Sequence, residues 1–138
     1  MRTNCDMTIY NKYIDPDTRL EKWQRVNILA VAWENRKAAN VRSSGGQMAS
    51  DQARVFIPVV RGVNFLASKA WQALATKTGK WTLQVGDIIV KTAVIDEIGT
   101  GFTVTQLKAK YDDVLIISSV DTMDAGSISM RHWNIGAA

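Results

Sequence analysis

Short runs in which apolar and polar side chains alternate at period two, each cut off by a turn signal, dominate this chain. In residues 7–14, Thr8, Tyr10 and Lys12 alternate with Met7, Ile9, Asn11 and Tyr13. Successive side chains on a strand point to opposite faces, so this spacing predicts a strand and not a helix. Asp15-Pro16-Asp17 ends it, because Pro fixes φ and Asp bonds its own backbone. Residues 22–34 form the longest run. Trp23, Leu29, Val31 and Trp33 fall on one parity, and Val26, Ile28, Ala30 and Ala32 on the other. Residues 53–60 are apolar and β-branched, and Pro58, which cannot donate to a ladder, predicts an edge or a strand end there.

The second half repeats the pattern around one helix. Ser68 is a candidate N-cap for a helix over 68–77, with Ala70, Trp71 and Leu74 on a shared face and Gly79 beyond its end. Trp81-Thr82-Leu83-Gln84-Val85 alternates again, Gly86-Asp87 is a turn pair, and residues 88–91 continue as a second run. Residues 102–104 are expected to open a strand, 105–111 to make a helical turn, and 114–119 and 127–135 to close the chain as strands. Many short strands and little helix predict an all-β fold, a small barrel or sandwich forming one domain over 1–138. Trp81, Leu83, Val85, Ile89 and Ile116 are the expected core, with Trp71 covering an open end.

Residues 35–52 break the alternation, and Ser43-Ser44-Gly45-Gly46 lies within them. A long insert without periodicity is expected to be an extended loop or arm, poorly packed on its own domain. Charge is arranged unevenly around it. The total is 17 Lys and Arg against 13 Asp and Glu, a net +4, too modest for a nucleic-acid-binding excess. Arg36, Lys37, Arg42 and Arg54 nevertheless lie in or beside the loop, while Asp112, Asp113, Asp121 and Asp124 share one late segment. Arg36, Lys37 and Arg42 are therefore candidate contacts to a neighbour or to DNA, and Asp121 and Asp124 of the next copy are candidate partners.

Candidates for chemistry are few. One cysteine, Cys5, and one histidine, His132, exclude an intramolecular disulfide and a His-rich metal site. They could act as nucleophile and base only if the two ends met, and no third orienting group accompanies them. Asp96-Glu97 and Asp112-Asp113 are adjacent carboxylates, which an extended chain points apart, so capping and turn roles suit them better than general acid and base. Asp121 and Asp124 with Gly126 faintly suggest a calcium loop but lack its further oxygen ligands and terminal Glu. Gly99-Thr100-Gly101 lacks the Lys-Ser/Thr of a phosphate loop and reads as a hairpin turn. Five tryptophans in 138 residues exceed what a small core needs and suit subunit contacts. No catalytic residue, metal or cofactor is expected. The weakly polar stretch 28–33 is far short of a membrane span and no leader opens the chain, so a soluble intracellular protein without membrane contact is expected.

Several runs carry a resemblance: Thr8-Ile9-Tyr10-Asn11-Lys12-Tyr13, the stretch from Trp81 through Val85-Gly86-Asp87 to Lys91, and Tyr111-Asp112-Asp113-Val114. The ending, Ser118-Ser119-Val120-Asp121-Thr122-Met123-Asp124 followed by Met130-Arg131-His132-Trp133, is its most specific part. Together they resemble a family of small proteins of tailed bacteriophages and prophages, encoded among head and tail morphogenesis genes. The resemblance implies a virion structural protein of the neck, most like the head-closure or stopper class of head–tail connector. The alternative is a tail terminator or tail-completion protein of the same region. It implies a β-barrel assembled in the host cytoplasm as a homo-oligomeric ring of roughly six or twelve copies. The implied partners are the portal and adaptor proteins, the tail terminator or tail tube, and non-specifically the packaged DNA. The implied location is the head–tail interface of the virion.

Overall fold

The computed structural model describes residues 3–35, 53–99, 101–123, 125–127 and 130–138. Six strands form: β1 (Cys5–Ile14), β2 (Glu21–Asn35), β3 (Ala53–Pro58), β4 (Ile88–Val90), β5 (Val114–Met123) and β6 (His132–Ala137). They close an antiparallel barrel in the order β1-β2-β3-β6-β5-β4. A 3-10 turn over Val59–Arg61 and two short helices, α1 (Ser68–Gln72) and α2 (Val104–Lys110), complete the described chain. The expected all-β fold is thus what this sequence builds, and of barrel and sandwich it is the barrel. Apart from Asn35, which ends β2, the expected loop over 35–52 lies outside the described residues.

Closure depends on two strands that serve both halves of the wall. β2 pairs with β1 from Glu21 to Val31, but with β3 only from Ala32 to Asn35. β5 pairs with β4 from Val114 to Ile116, and with β6 from Ile117 to Met123. Each carries a bulge where it changes neighbour. On β2 the register jumps between Ile28 and Val31, Ala30 sits at φ 62°, and its N–H turns to Asp6 Oδ1 at 2.9 Å. On β5 the jump falls between Ile117 and Ser119. An extra residue bends a strand and sharpens its twist, which lets one strand turn the corner of a small barrel.

The interior is filled by Met7, Ile9, Val31, Val55, Ile57 and Ile135, all fully buried. An aromatic group packs with them. Phe65 lies 4.4 Å from Trp133 and 4.9 Å from Trp81 between ring centroids, and the two indoles meet edge-on at 5.7 Å. A second cluster covers the outer face of β1 and β4, where Tyr10, Ile88 and Val90 pack with Val94 and Leu107 of α2. β1 is consequently buried on both faces from Met7 to Asn11, although its alternation alone suggests one wet side.

Several expectations are corrected. Residues 81–85 make no strand, only a single bridge from Trp81 to Phe65, and Trp81, Thr82 and Leu83 are all buried in succession. Here the buried Asn11 side chain takes the place of a ladder, donating to Thr82 O at 2.8 Å and accepting from its N–H at 3.0 Å. Val85 then turns outward and is 68% exposed. Ile116 is 40% exposed because its neighbours Leu115 and Ile117 face inward, the opposite parity to that expected. Trp81, Leu83 and Ile89 do belong to the core. Trp71 is buried against Tyr13, ring centroids 5.8 Å apart, and not within the barrel cluster. α1 stops at Gln72, with Ala67 and not Ser68 at its N-cap. Thr103, expected to lie in a strand, instead caps α2 reciprocally with Gln106. The last strand starts at His132, after a short turn that includes Met130.

Candidate functional site

Polar chemistry is concentrated where β1 meets the turn before β4. β1 carries Asn11 into the interior, where its Nδ2 donates to Asp87 Oδ2 at 2.8 Å as well as to Thr82 O. Gln84 Nε2 donates to the same oxygen at 2.7 Å, and the Lys12 N–H to Oδ1 at 3.2 Å. Burial pushes the Asp87 carboxyl above the usual carboxylate range, against the pull of these donors. Gln84 Oε1 in turn accepts from Ser68 Oγ at 2.7 Å and Gln72 Nε2 at 2.8 Å. The network ties strand, turn and helix together. With three protein donors already on Asp87, its chemistry is that of a brace.

A second cluster joins the β4–α2 excursion to the wall. Tyr10 donates its hydroxyl to Asp96 O at 2.7 Å, Tyr111 donates to Asp96 Oδ2, and Lys110 approaches the same oxygen at 3.1 Å. The Tyr111 hydrogen bond foremost, and Lys110 after it, hold the Asp96 carboxyl below its usual range, while burial raises Tyr10. Glu97 points away to Arg25, Nε–Oε1 3.0 Å, and Arg25 also reaches Val94 O at 2.9 Å. The adjacent carboxylates therefore diverge. Gly99 bridges Phe102 in a tight turn.

The sequence-derived candidates do not converge. Arg36, Lys37, Arg42 and Asp124 lie outside the described residues, and Asp121 is exposed on β5. Cys5 faces Val31 across the β1–β2 ladder, whereas His132 faces Pro58 and Met123 and packs its ring on Phe56 at 5.6 Å. Burial raises the Cys5 thiol, the reverse of what activates a nucleophile. Among the described residues, no three His, Cys, Asp or Glu side chains gather to hold a metal. No helix among them is long and apolar enough to cross a membrane.

What alternation could not reveal is that the wall is split along two seams. Continuing the register that pairs Ala32 with Phe56 would set Val60 opposite Ile28. Instead β3 ends at Pro58 and the chain coils into its 3-10 turn, leaving a groove of about 340 Å³ between residues 26–29 and 60–64. Leu29, Val60 and Val63 stand exposed along it. On the other side, Gly86 at φ 96° turns the chain away just before β4, with its N–H on Ile117 O at 2.8 Å. Beyond Ile117, β5 keeps β6 on one edge and no described strand on the other. Pro58 was the legible signal for the first seam and the Gly86-Asp87 turn for the second. A family model described as "Family of unknown function (DUF6751)" matches residues 2–138. The chain belongs to that family. No curated protein and no solved structure matches it. The DUF6751 match spans both seams and both polar clusters, so each belongs to the family's region of the chain.

Proposed function

We propose that this protein is a non-enzymatic, ring-forming structural component of a tailed-bacteriophage neck. In this reading it is a head-closure or stopper subunit joining the DNA-filled head to the tail. The observation that carries the proposal is the distribution of exposed apolar side chains on two walls of one barrel. The β1–β2 hairpin exposes Ile14 and Leu20, and the β5–β6 hairpin exposes Met123 and Met130, each at 45% or more. In the strand order these hairpins are separated by β3 on one side and β4 on the other, so they occupy opposite walls. A ring subunit needs two different contact faces of this kind, one for each neighbour. Exposed apolar groups on both hairpins suit protein contact, and the two polar clusters are occupied internally. Partners in this reading are further copies of the chain and the protein layers above and below it.

Locating the protein in intact particles by cryo-electron microscopy tests the proposal directly. Density for a ring of this barrel between portal and tail is the expected result. A location at the far end of the tail, or absence from the particle, overturns it.

A further inference from the structure

We propose that the split seams are the two halves of one interface, in which the open edge of β5 in one copy enters the groove beside β2 in the next. Every second N–H and C=O of an antiparallel strand points away from its partner. Along β2, residues 22–28 are paired with β1 alone, and along β5, residues 119–123 are paired with β6 alone, among the described residues. Two single-sided strands on one chain supply each other's missing ladder, the mode by which extended segments add to a sheet edge. Natural barrels remove or blunt such edges, so two in one small barrel call for a partner.

The flanks fit this occupant. The β2 groove is bordered by exposed Leu29, Val60 and Val63, which would meet exposed Met123 on an incoming β5, while Val120 stays packed on its own barrel core. Charge is complementary as well. Lys80 adjoins the groove wall at Gly79 and Trp81, and Asp121 is exposed midway along the β5 edge. Neither has an ion-pair partner among the described residues. The two edges lie on different seams, β2–β3 and β5–β4, which stand opposite each other in the strand order. Pairing one with the other is head-to-tail and repeats indefinitely, closing where the rotation allows. The pairing itself stands on the register; only its closure into a ring rests on the function proposed above.

Hydrogen exchange read by mass spectrometry, at concentrations spanning self-association followed by light scattering, is the test. The outward-pointing amides within residues 22–28 and 119–123 should become at least tenfold slower to exchange in the assembled protein. Lys80→Asp and Asp121→Lys should each weaken association, by roughly twofold to fivefold for a partly exposed pair, and the double exchange should restore it. Asp121 is exposed and Lys80 half-buried, and an unchanged melting curve confirms that each variant folds. Assembly with both edges exchanging at their monomer rates overturns the strand pairing and leaves the ring standing. A chain that stays monomeric at every concentration, with both edges freely exchanging, overturns both.

Discussion

Asp87 makes a contribution of its own to the pH dependence expected of this molecule. All three groups around its oxygens, Asn11 Nδ2, Gln84 Nε2 and the Lys12 N–H, are donors. Asp87→Asn would place an amide N–H against one of them, and we expect a loss of about 1–3 kcal/mol in denaturant unfolding. Because burial raises the folded-state pKa, the native protein holds this proton more tightly than the unfolded chain. That contribution is complete below the ordinary value of 3.8 and is lost as pH rises through the raised one. The difference in unfolding free energy between the native sequence and Asp87→Asn should follow this slope from acid to neutral pH. Asp96, whose carboxyl is held low, contributes the opposite slope to both proteins. Gly62 is constrained for a different reason. A Cβ there would lie 2.7 Å from Trp133 Cη2 and 2.9 Å from Val59 O. Gly62→Ala must displace an indole packed against Phe65 and Trp81, at about 1–3 kcal/mol by thermal unfolding. An unshifted midpoint would show that the ring moves freely.

Facing is settled by whole elements, and here the strands separate sharply. Ile117→Ala should cost about 2–5 kcal/mol because its side chain is only 1% exposed in the barrel interior. Ile116→Ala and Val85→Ala should stay within about half a kcal/mol in the isolated chain. Equal losses at Ile116 and Ile117 would reverse the parity described for β5. Thr103→Ala should loosen α2 by about 1 kcal/mol, since Thr103 and Gln106 cap each other at 3.3 and 2.8 Å. These elements show how far the sequence was legible. Alternation revealed the strands of β1 and β2, and apolar, β-branched composition revealed β3. Together they gave the all-β class with barrel and sandwich both open, because period two survives in either. Alternation gave the strand at 114–117 but not its facing, because every residue there is apolar or β-branched and either parity fits. It failed at 81–85, where an asparagine side chain stands in for a neighbouring strand. The cap of α2 was written as Thr-x-x-Gln, but two β-branched residues beside Phe102 resembled a strand opening. Asn11 was visible as a polar residue on the apolar parity of its strand, a sign of burial that alternation alone leaves without a partner.

At the scale of the molecule, closure joins residues far apart in sequence. Ala53 pairs with Ala137, and Thr8 with Val90, so the wall is complete only when distant segments have met. Refolding followed by tryptophan fluorescence should therefore take milliseconds to seconds, and microsecond recovery would contradict this topology. Pro58 bears on the same wall. Val59 turns its N–H to Arg131 O at 3.0 Å, on the β6 side, so the position before it faces β2, where proline has no hydrogen to offer. One imino acid thus holds a seam ajar that a valine could begin to zip. Pro58→Val should melt higher and associate less, as measured by calorimetry and light scattering on the same samples. If it does, self-sufficiency and sociability compete in this molecule for the same few backbone groups, and a lineage could drift from one to the other by a single codon.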